Sequence, residues 1–223
     1  LRLDCDGFDE GLGKALEESI SNIYTLESLD VYVNDGLINC LSEDWVPPPQ
    51  LRSLTFESYY SWFETLPSWI NPSSLPLLSY LKIMLFEVRS EVIQLLGTLP
   101  ALVYLEIWNY SIMSEEGHEV VEASVLSSGA ALFPCATECR FRGIGAVPSM
   151  FPQGAAPRLK HLRFTLPAKW ISRENIDLGM RHLPSLQRVT VDFIDADMDE
   201  AEAALMAAAE DHPNRPVLEI GIW

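Results

Sequence analysis

Cysteine is scarce in this chain. The four present, at positions 5, 40, 135 and 139, are too few and too unevenly spaced for a disulfide framework. None forms the C-x-x-C pair of a zinc site, so they read as reduced core thiols, with Cys139 a small buried hydrophobe. No stretch approaches the roughly 18 consecutive apolar residues of a membrane span, and no span is expected. No secretory leader is visible, but the chain opens on Leu1 inside a patterned segment, so a fragment of a larger protein is expected. Positive charge is also short: 15 Lys and Arg stand against 32 Asp and Glu, a net charge of −17. That balance opposes binding to phosphate backbones, and no nucleic-acid reader motif occurs.

Catalytic motifs are missing as well. Gly11-Leu12-Gly13-Lys14-Ala15 is the nearest approach to a phosphate loop, but Phe8 stands where that loop needs glycine and Ala15 where it needs Ser or Thr. Backbone amides cannot then wrap phosphates, and a turn entering a helix is the simpler reading. His118, His161, His182 and His212 are scattered, with no pattern that gathers a base and a nucleophile, and no enzyme is expected. The acidic run Asp192, Asp195, Asp197, Asp199, Glu200 and Glu202 lacks the central glycine and terminal glutamate of a calcium loop. It reads as acidic residues leading into a helix, where the macrodipole favours them, and no metal site is assigned.

What the chain does have is a repeated phrase, apolar-x-x-apolar-x-apolar. Its copies are Leu26/Leu29/Val31, Leu51/Leu54/Phe56, Leu78/Leu81/Ile83, Leu102/Leu105/Ile107, Ala136/Cys139/Phe141, Leu159/Leu162/Phe164 and Leu186/Val189/Val191, with a truncated copy at Leu1/Leu3. Pro49, Pro76, Pro100, Pro134, Pro157 and Pro184 keep the same phase. The last apolar residue of each copy advances by 28, 25, 27, 24, 34, 23 and 27 residues, which are leucine-rich-repeat periods.

The phrase predicts an α/β solenoid, a leucine-rich-repeat horseshoe with a parallel concave β-sheet, of about eight repeats spanning 1–223. Within each short strand, alternate residues point into the core. Proline two places before the phrase fixes the turn where no ladder donor is needed. Returns over Leu12 to Ile23 and Glu91 to Leu99 read as helical. The longest step, 34, predicts a protruding inserted loop over 111–131, with Glu115, Glu116, Gly117 and His118 in it. Residues 195–223 read as a C-terminal cap, with a helix over Asp199 to Asp211 carrying Ala201, Ala204, Leu205 and Ala208 on one face, then a last strand around Leu218 to Ile220. No polar segment precedes Leu1, so further repeats or another domain are expected upstream.

The repeat phase also identifies the outward strand positions. They run Ser28, Asp30, Tyr32; Ser53, Thr55, Glu57; Tyr80, Lys82, Met84; Tyr104, Glu106, Trp108; Glu138, Arg140, Arg142; His161, Arg163, Thr165; Arg188, Thr190, Asp192. The strip is acidic early, aromatic in the middle and basic late. Tyr, Trp and Arg are the usual anchors of protein interfaces. The candidate protein-binding residues are therefore Tyr32, Tyr80, Lys82, Tyr104, Glu106, Trp108, Arg140, Arg142, His161 and Arg163. Between Cys139 and Arg173 lie Arg140, Arg142, Arg158, Lys160, Arg163, Lys169 and Arg173 with no Asp or Glu. Two readings of that segment stand side by side: a specific surface for a partner, or contact with acidic parts of the same protein, either the first 44 residues or an upstream domain.

Several phrases resemble the C-terminal repeats of plant intracellular immune receptors, most of all the coiled-coil nucleotide-binding class of grasses. They are Pro48-Pro49-Gln50-Leu51-Arg52-Ser53-Leu54, Leu66-Pro67-Ser68-Trp69-Ile70, Leu96-Gly97-Thr98-Leu99-Pro100-Ala101-Leu102, Phe151-Pro152-Gln153-Gly154-Ala155-Ala156-Pro157-Arg158-Leu159 and the tail His212-Pro213-Asn214-Arg215-Pro216-Val217-Leu218-Glu219-Ile220. The resemblance implies a cytoplasmic recognition domain that senses a pathogen effector, directly or through a guarded host protein, and helps restrain an upstream nucleotide-binding domain. ADP or ATP would bind that absent domain, and no cofactor is expected here. Secreted plant repeats carry a regular asparagine three residues after the marker, whereas this chain reads Asp6, Asn34, Tyr59, Phe86, Tyr110, Ile144, Pro167 and Ile194. The single usable glycosylation sequon, Asn109-Tyr110-Ser111, is accordingly expected to stay unmodified. The alternatives are the substrate-binding repeats of a ubiquitin-ligase F-box protein and, behind that, a secreted ectodomain.

Overall fold

Strands repeated every 23 to 34 residues can bury their apolar side only by stacking edge to edge, and the chain does so. The structure, a computed structural model, describes residues 1–5, 10–33, 41–58, 61–113, 132–144, 151–166, 168, 180–194 and 198–222. In chain order these form β1 (Arg2–Cys5), α1 (Glu10–Ser21), β2 (Ser28–Val33), β3 (Ser53–Glu57), β4 (Tyr80–Leu85), α2 (Ser90–Gly97), β5 (Tyr104–Asn109) and α3 (Tyr110–Met113). Then follow β6 (Glu138–Arg142), β7 (His161–Leu166), β8 (Arg188–Phe193), α4 (Asp199–Asp211) and β9 (Val217–Ile222). All nine strands make one parallel sheet in sequence order. β1 to β8 carry the eight copies of the phrase, and β9 closes the cap.

Register follows the phrase. Leu3 faces Val31, which faces Phe56, and Ile83, Ile107, Phe141, Phe164, Val191 and Ile220 face one another in turn. Between β3 and β4 the ladder runs only from Ser53 to Thr55. Beyond it Phe63 takes the place beside Leu85, donating its N–H to Met84 O and accepting from Phe86 N–H.

The prolines have a specific local role. In Leu75-Pro76-Leu77-Leu78, Phe133-Pro134-Cys135-Ala136, Ala156-Pro157-Arg158-Leu159 and Leu183-Pro184-Ser185-Leu186, the fourth residue donates its N–H to the first carbonyl. Proline thus sits at the second position of a β-turn, where its fixed φ is already correct. After each turn one carbonyl takes two N–H groups of the next repeat, as Arg52 O does from Ser79 and Tyr80 and Lys160 O from Gln187 and Arg188. Glu17 and Glu43, one repeat apart, likewise accept the backbone N–H groups of Ser42 and Ser68.

The core runs the length of the sheet as one apolar cluster containing Leu29, Leu54, Leu81, Leu105, Cys139, Leu162 and Val189. Phe56, Phe133, Phe141, Phe151, Phe164 and Phe193 fill its wider parts. α2 packs so closely that a Cβ on Gly97 would meet Leu132 Cβ at 3.1 Å.

The expected helices form, one or two residues shifted in α1 and α2. Gly11 to Ala15 lies within α1, not in a phosphate-cradling loop. In the cap, α4 buries Ala201, Ala204, Leu205 and Ala209, with Asp199, Glu200 and Glu202 in its first turn. His212 fastens the cap to the last turn: its Nδ1 accepts from Asn214 N–H at 3.0 Å, so Nε2 carries the proton and donates to Met180 O at 2.9 Å. Of the expected insertion over 111–131, residues 111–113 belong to α3, while 114–131 with Glu115, Glu116, Gly117 and His118 lies outside the described residues. So do Cys40, Lys169, Arg173, Asp195 and Asp197.

Candidate protein-interaction surface

Period-two geometry turns every second residue of β2 to β8 away from the core, and the burial of β2 and β3 alternates accordingly. On adjacent parallel strands, equivalent side chains lie about 4.8 Å apart, which is a stacking distance for flat rings. Tyr80 and Tyr104 occupy such a pair, and their rings stack at 4.3 Å with 3° between planes.

Glu106, on the middle strand β5, is the centre of the arrangement and is only 3% exposed. Its carboxylate accepts hydrogen bonds from Tyr104 OH at 2.6 Å, Trp108 Nε1 at 2.9 Å and Arg142 Nε at 3.0 Å. Arg140 reaches it at 4.0 Å. Burial works against the ionised form of Glu106. The hydrogen bond from Tyr104, the charges of Lys82 and Arg142 and the indole donor outweigh it and hold the carboxyl below the ordinary range. Burial first, and then the bond to Glu106, pushes the Tyr104 phenol well above its usual value. Over this base, the Arg142 guanidinium lies 4.4 Å from the Trp108 ring centre and that of Arg140 lies 5.5 Å from Tyr104.

The late, basic part of the strip is paired within the sheet itself. Arg140 bonds Glu138 at 2.7 Å, Arg163 bonds Asp192 at 2.6 Å and Arg188 bonds Glu219 at 3.0 Å. Lys82 pairs with Glu57. The arginines of β6 to β8 therefore contact carboxylates on their own or a neighbouring strand. Neither the first 44 residues nor another domain is needed to pair them. On the outward positions of β2 to β9, the basic Lys82, Arg140, Arg142, Arg163 and Arg188 nearly balance the acidic Asp30, Glu57, Glu106, Glu138, Asp192 and Glu219. These outward positions, five cations against six carboxylates, sum to −1, against −17 for the whole chain.

The structure gathers Tyr80, Tyr104, Glu106, Trp108, Arg140 and Arg142 into one contiguous group, with Lys82 opposite Glu106 in the register. His161 and Arg163 lie on the next strand toward the C-terminal end, opposite Glu138 and Arg140 in the register, His161 Nδ1 lying 3.8 Å from Glu138 Oε2. Tyr32 lies on β2 at the other end. Met84, outward by phase, is buried. Glu106 supports the surface and offers almost no area for contact.

Sequence periodicity missed a second aromatic group, because its members follow the strands. Trp62 stacks on Tyr110 at 3.7 Å, and Phe86, itself exposed, lies 6.0 Å from Trp62. The sequence signals were the aromatic density of 59–63 and the aromatic residues Phe86 and Tyr110 in the slot three residues after the marker. Asn109, on the inward phase of β5 after Leu105 and Ile107, is fully buried, its Oδ1 accepting from Ser111 Oγ at 2.9 Å.

Among the described residues no cluster of His, Cys, Asp or Glu could hold a metal ion, and no helix is long and apolar enough to cross a membrane. Cys135 and Cys139 are free thiols. A parallel sheet of registered repeats with a continuous outward face defines a solenoid built to present an extended binding surface. The family model of the leucine-rich repeat region matches residues 1–218, and the chain belongs to that family. No curated protein matches the chain.

Proposed function

We propose that this chain is the protein-recognition domain of a plant intracellular immune receptor, acting in the cytoplasm and without catalysis of its own. The observation that carries a recognition role is the central group in which Glu106 holds Tyr104, Trp108 and Arg142 in fixed positions on the middle strand. Side chains already ordered lose little entropy on binding, and Tyr, Trp and Arg are the residues that dominate interface energies. The ordered phrases around Pro48, Leu66, Leu96, Phe151 and His212 support the receptor class.

In this reading a pathogen effector or a guarded host protein lies against the concave sheet. It acts by preferring the active over the resting receptor, since only differential affinity shifts such an equilibrium. The same face, or its rims, contacts an upstream ADP- or ATP-binding domain and contributes to autoinhibition. Trp108→Ala and Arg140→Glu in the full-length receptor test it. The expected result is loss of partner binding or activation without a partner; unchanged binding and unchanged restraint together would reject the assignment. Sequencing the transcript upstream of Leu1 tests the class, which requires a nucleotide-binding domain there.

A further inference from the structure

The carboxylates of the concave sheet are matched to cations with one exception. Glu57 has Lys82, Glu106 has Arg142, Glu138 has Arg140, Asp192 has Arg163 and Glu219 has Arg188, each within 4.0 Å. Among the described residues, Asp30 is the outward carboxylate of β2 to β9 that has no such partner. It lies in a hollow of about 220 Å³ over β2, β3 and β4, lined also by Arg2, Tyr32, Thr55, Glu57 and Tyr80. That volume is below the roughly 300–1,000 Å³ of small-molecule sites and suits a single side chain.

The charges around the hollow leave Asp30 uncompensated. Arg2 stands opposite Asp30 in the register, but its guanidinium is paired with Asp4 at 3.4 Å, at a largely exposed position. Glu57 is matched by Lys82. Tyr80 stacks one ring face on Tyr104, on the β5 side, so the face it turns toward the hollow is the other one. A hollow lined by an unmatched carboxylate, the second ring face of Tyr80 and Tyr32 is an arrangement that receives a guanidinium or ammonium group. The hollow over β6 to β9 has no such vacancy, because Arg140, Arg163 and Arg188 already have carboxylates.

We propose that the hollow around Asp30 accepts an arginine or lysine side chain of the protein that lies against the concave sheet. This rests on the reading of that sheet as the binding surface. It fixes the partner's chemistry at one end: a basic residue over β2 to β4, on the β2 side of the aromatic group, with which the hollow shares Tyr80.

The probe is N-acetyl-arginine amide, with the neutral isostere N-acetyl-citrulline amide as its control, titrated into the ¹⁵N-labelled chain. The arginine compound should shift the amides of Asp30, Thr55 and Tyr80 saturably and bind about tenfold more tightly than the citrulline compound, the ratio expected for one charge-assisted contact. Asp30→Asn, and Thr55→Lys as an internal competitor, should each weaken it about tenfold. Glu219→Gln in the other hollow should leave it unchanged. Circular dichroism establishes that each variant is folded. Equal binding of both compounds, shifts that map elsewhere, or no saturable shift up to about 50 mM would overturn the proposal. The two readings fail separately. Binding of the probe at Asp30 with partner binding and restraint both unchanged in Trp108→Ala and Arg140→Glu receptors rejects the binding-surface assignment and leaves the hollow. Partner binding that needs Trp108 but tolerates Asp30→Asn and Thr55→Lys rejects the hollow.

Discussion

Replacing Glu106 with alanine removes the acceptor shared by Tyr104 OH, Trp108 Nε1 and Arg142 Nε. Hydrogen bonds to a charged group contribute about 1.5–3 kcal/mol each, and breaking a buried ion pair by deleting one partner costs about 3–5 kcal/mol. The Arg142 side chain keeps 14% of its exposure and can recover some hydration, so the expected loss is about 2–4 kcal/mol. Glu106→Gln keeps the shape and one acceptor oxygen, and should lose about 1–2 kcal/mol. Because a repeat array is stabilised by each repeat and its immediate neighbours, hydrogen exchange should accelerate in β4 to β6 and not in β8 or β9. Two spectroscopic readouts separate this from a general weakening. The Tyr104 phenol, held above the ordinary tyrosine range in part by Glu106, should titrate at lower pH in Glu106→Gln, seen as phenolate absorbance. The folded-state pKa of Glu106 is depressed, so its stabilisation is fully present above the unfolded value of about 4.3. It is lost as pH falls through the lower folded value, and the acid side of the stability profile should flatten in the variant. An unchanged tyrosine titration together with a loss below about 0.5 kcal/mol would refute the role assigned to Glu106.

Gly97→Ala should destabilise the chain by about 1–2 kcal/mol in urea unfolding: the new methyl meets Leu132 and Phe133 at 3.0–3.2 Å, and overpacking outweighs the gain in helix propensity. A neutral or stabilising result would mean that Leu132 can move aside. His212→Ala removes a buried hydrogen bond to Met180 O and a part-buried one from Asn214 N–H, and should cost about 2–3 kcal/mol, with exchange rising first in α4 and β9. Expression through a secretory route should leave Asn109 without glycan by intact mass, because its side chain is fully buried; added hexose mass at that residue would contradict the packing of β5.

The fold was legible because it depends on short-range pattern. Leu29, Val31, Leu54 and Phe56 alternate at period two, and Pro76, Pro134, Pro157 and Pro184 preset turns whose hydrogen bonds close within four residues. The helix over Asp199 to Asp211 was equally readable, from small apolar residues on one face and acids in its first turn. The outward phase of the strands was legible, but not that Met84, Glu106, Thr165 and Asp192 on it are buried, nor what the outward residues bond to. Arg142 and Glu106 are 36 residues apart, across the longest and least regular step of the array, and nothing local to either indicates that they meet. The stack of Trp62, Tyr110 and Phe86 was not legible either: Phe86 and Tyr110 share the slot three residues after the marker, but Trp62 lies outside that phase and nothing local shows that the three rings meet.

The sequence by itself thus determined the number of strands, their order, their register and the side each residue faces, because a solenoid obtains all four from repeated local geometry and nearest neighbours. Only the tertiary structure decided what the exposed face is electrostatically. The sequence suggests a strip running from acidic to basic. Lateral pairing across strands neutralises it, buries Glu106 under the residues it orients, and leaves Asp30 without a cation. Salt bridges and ring stacks depend on distances of 3–5 Å between side chains on different strands, and those distances are set by packing that no single repeat contains.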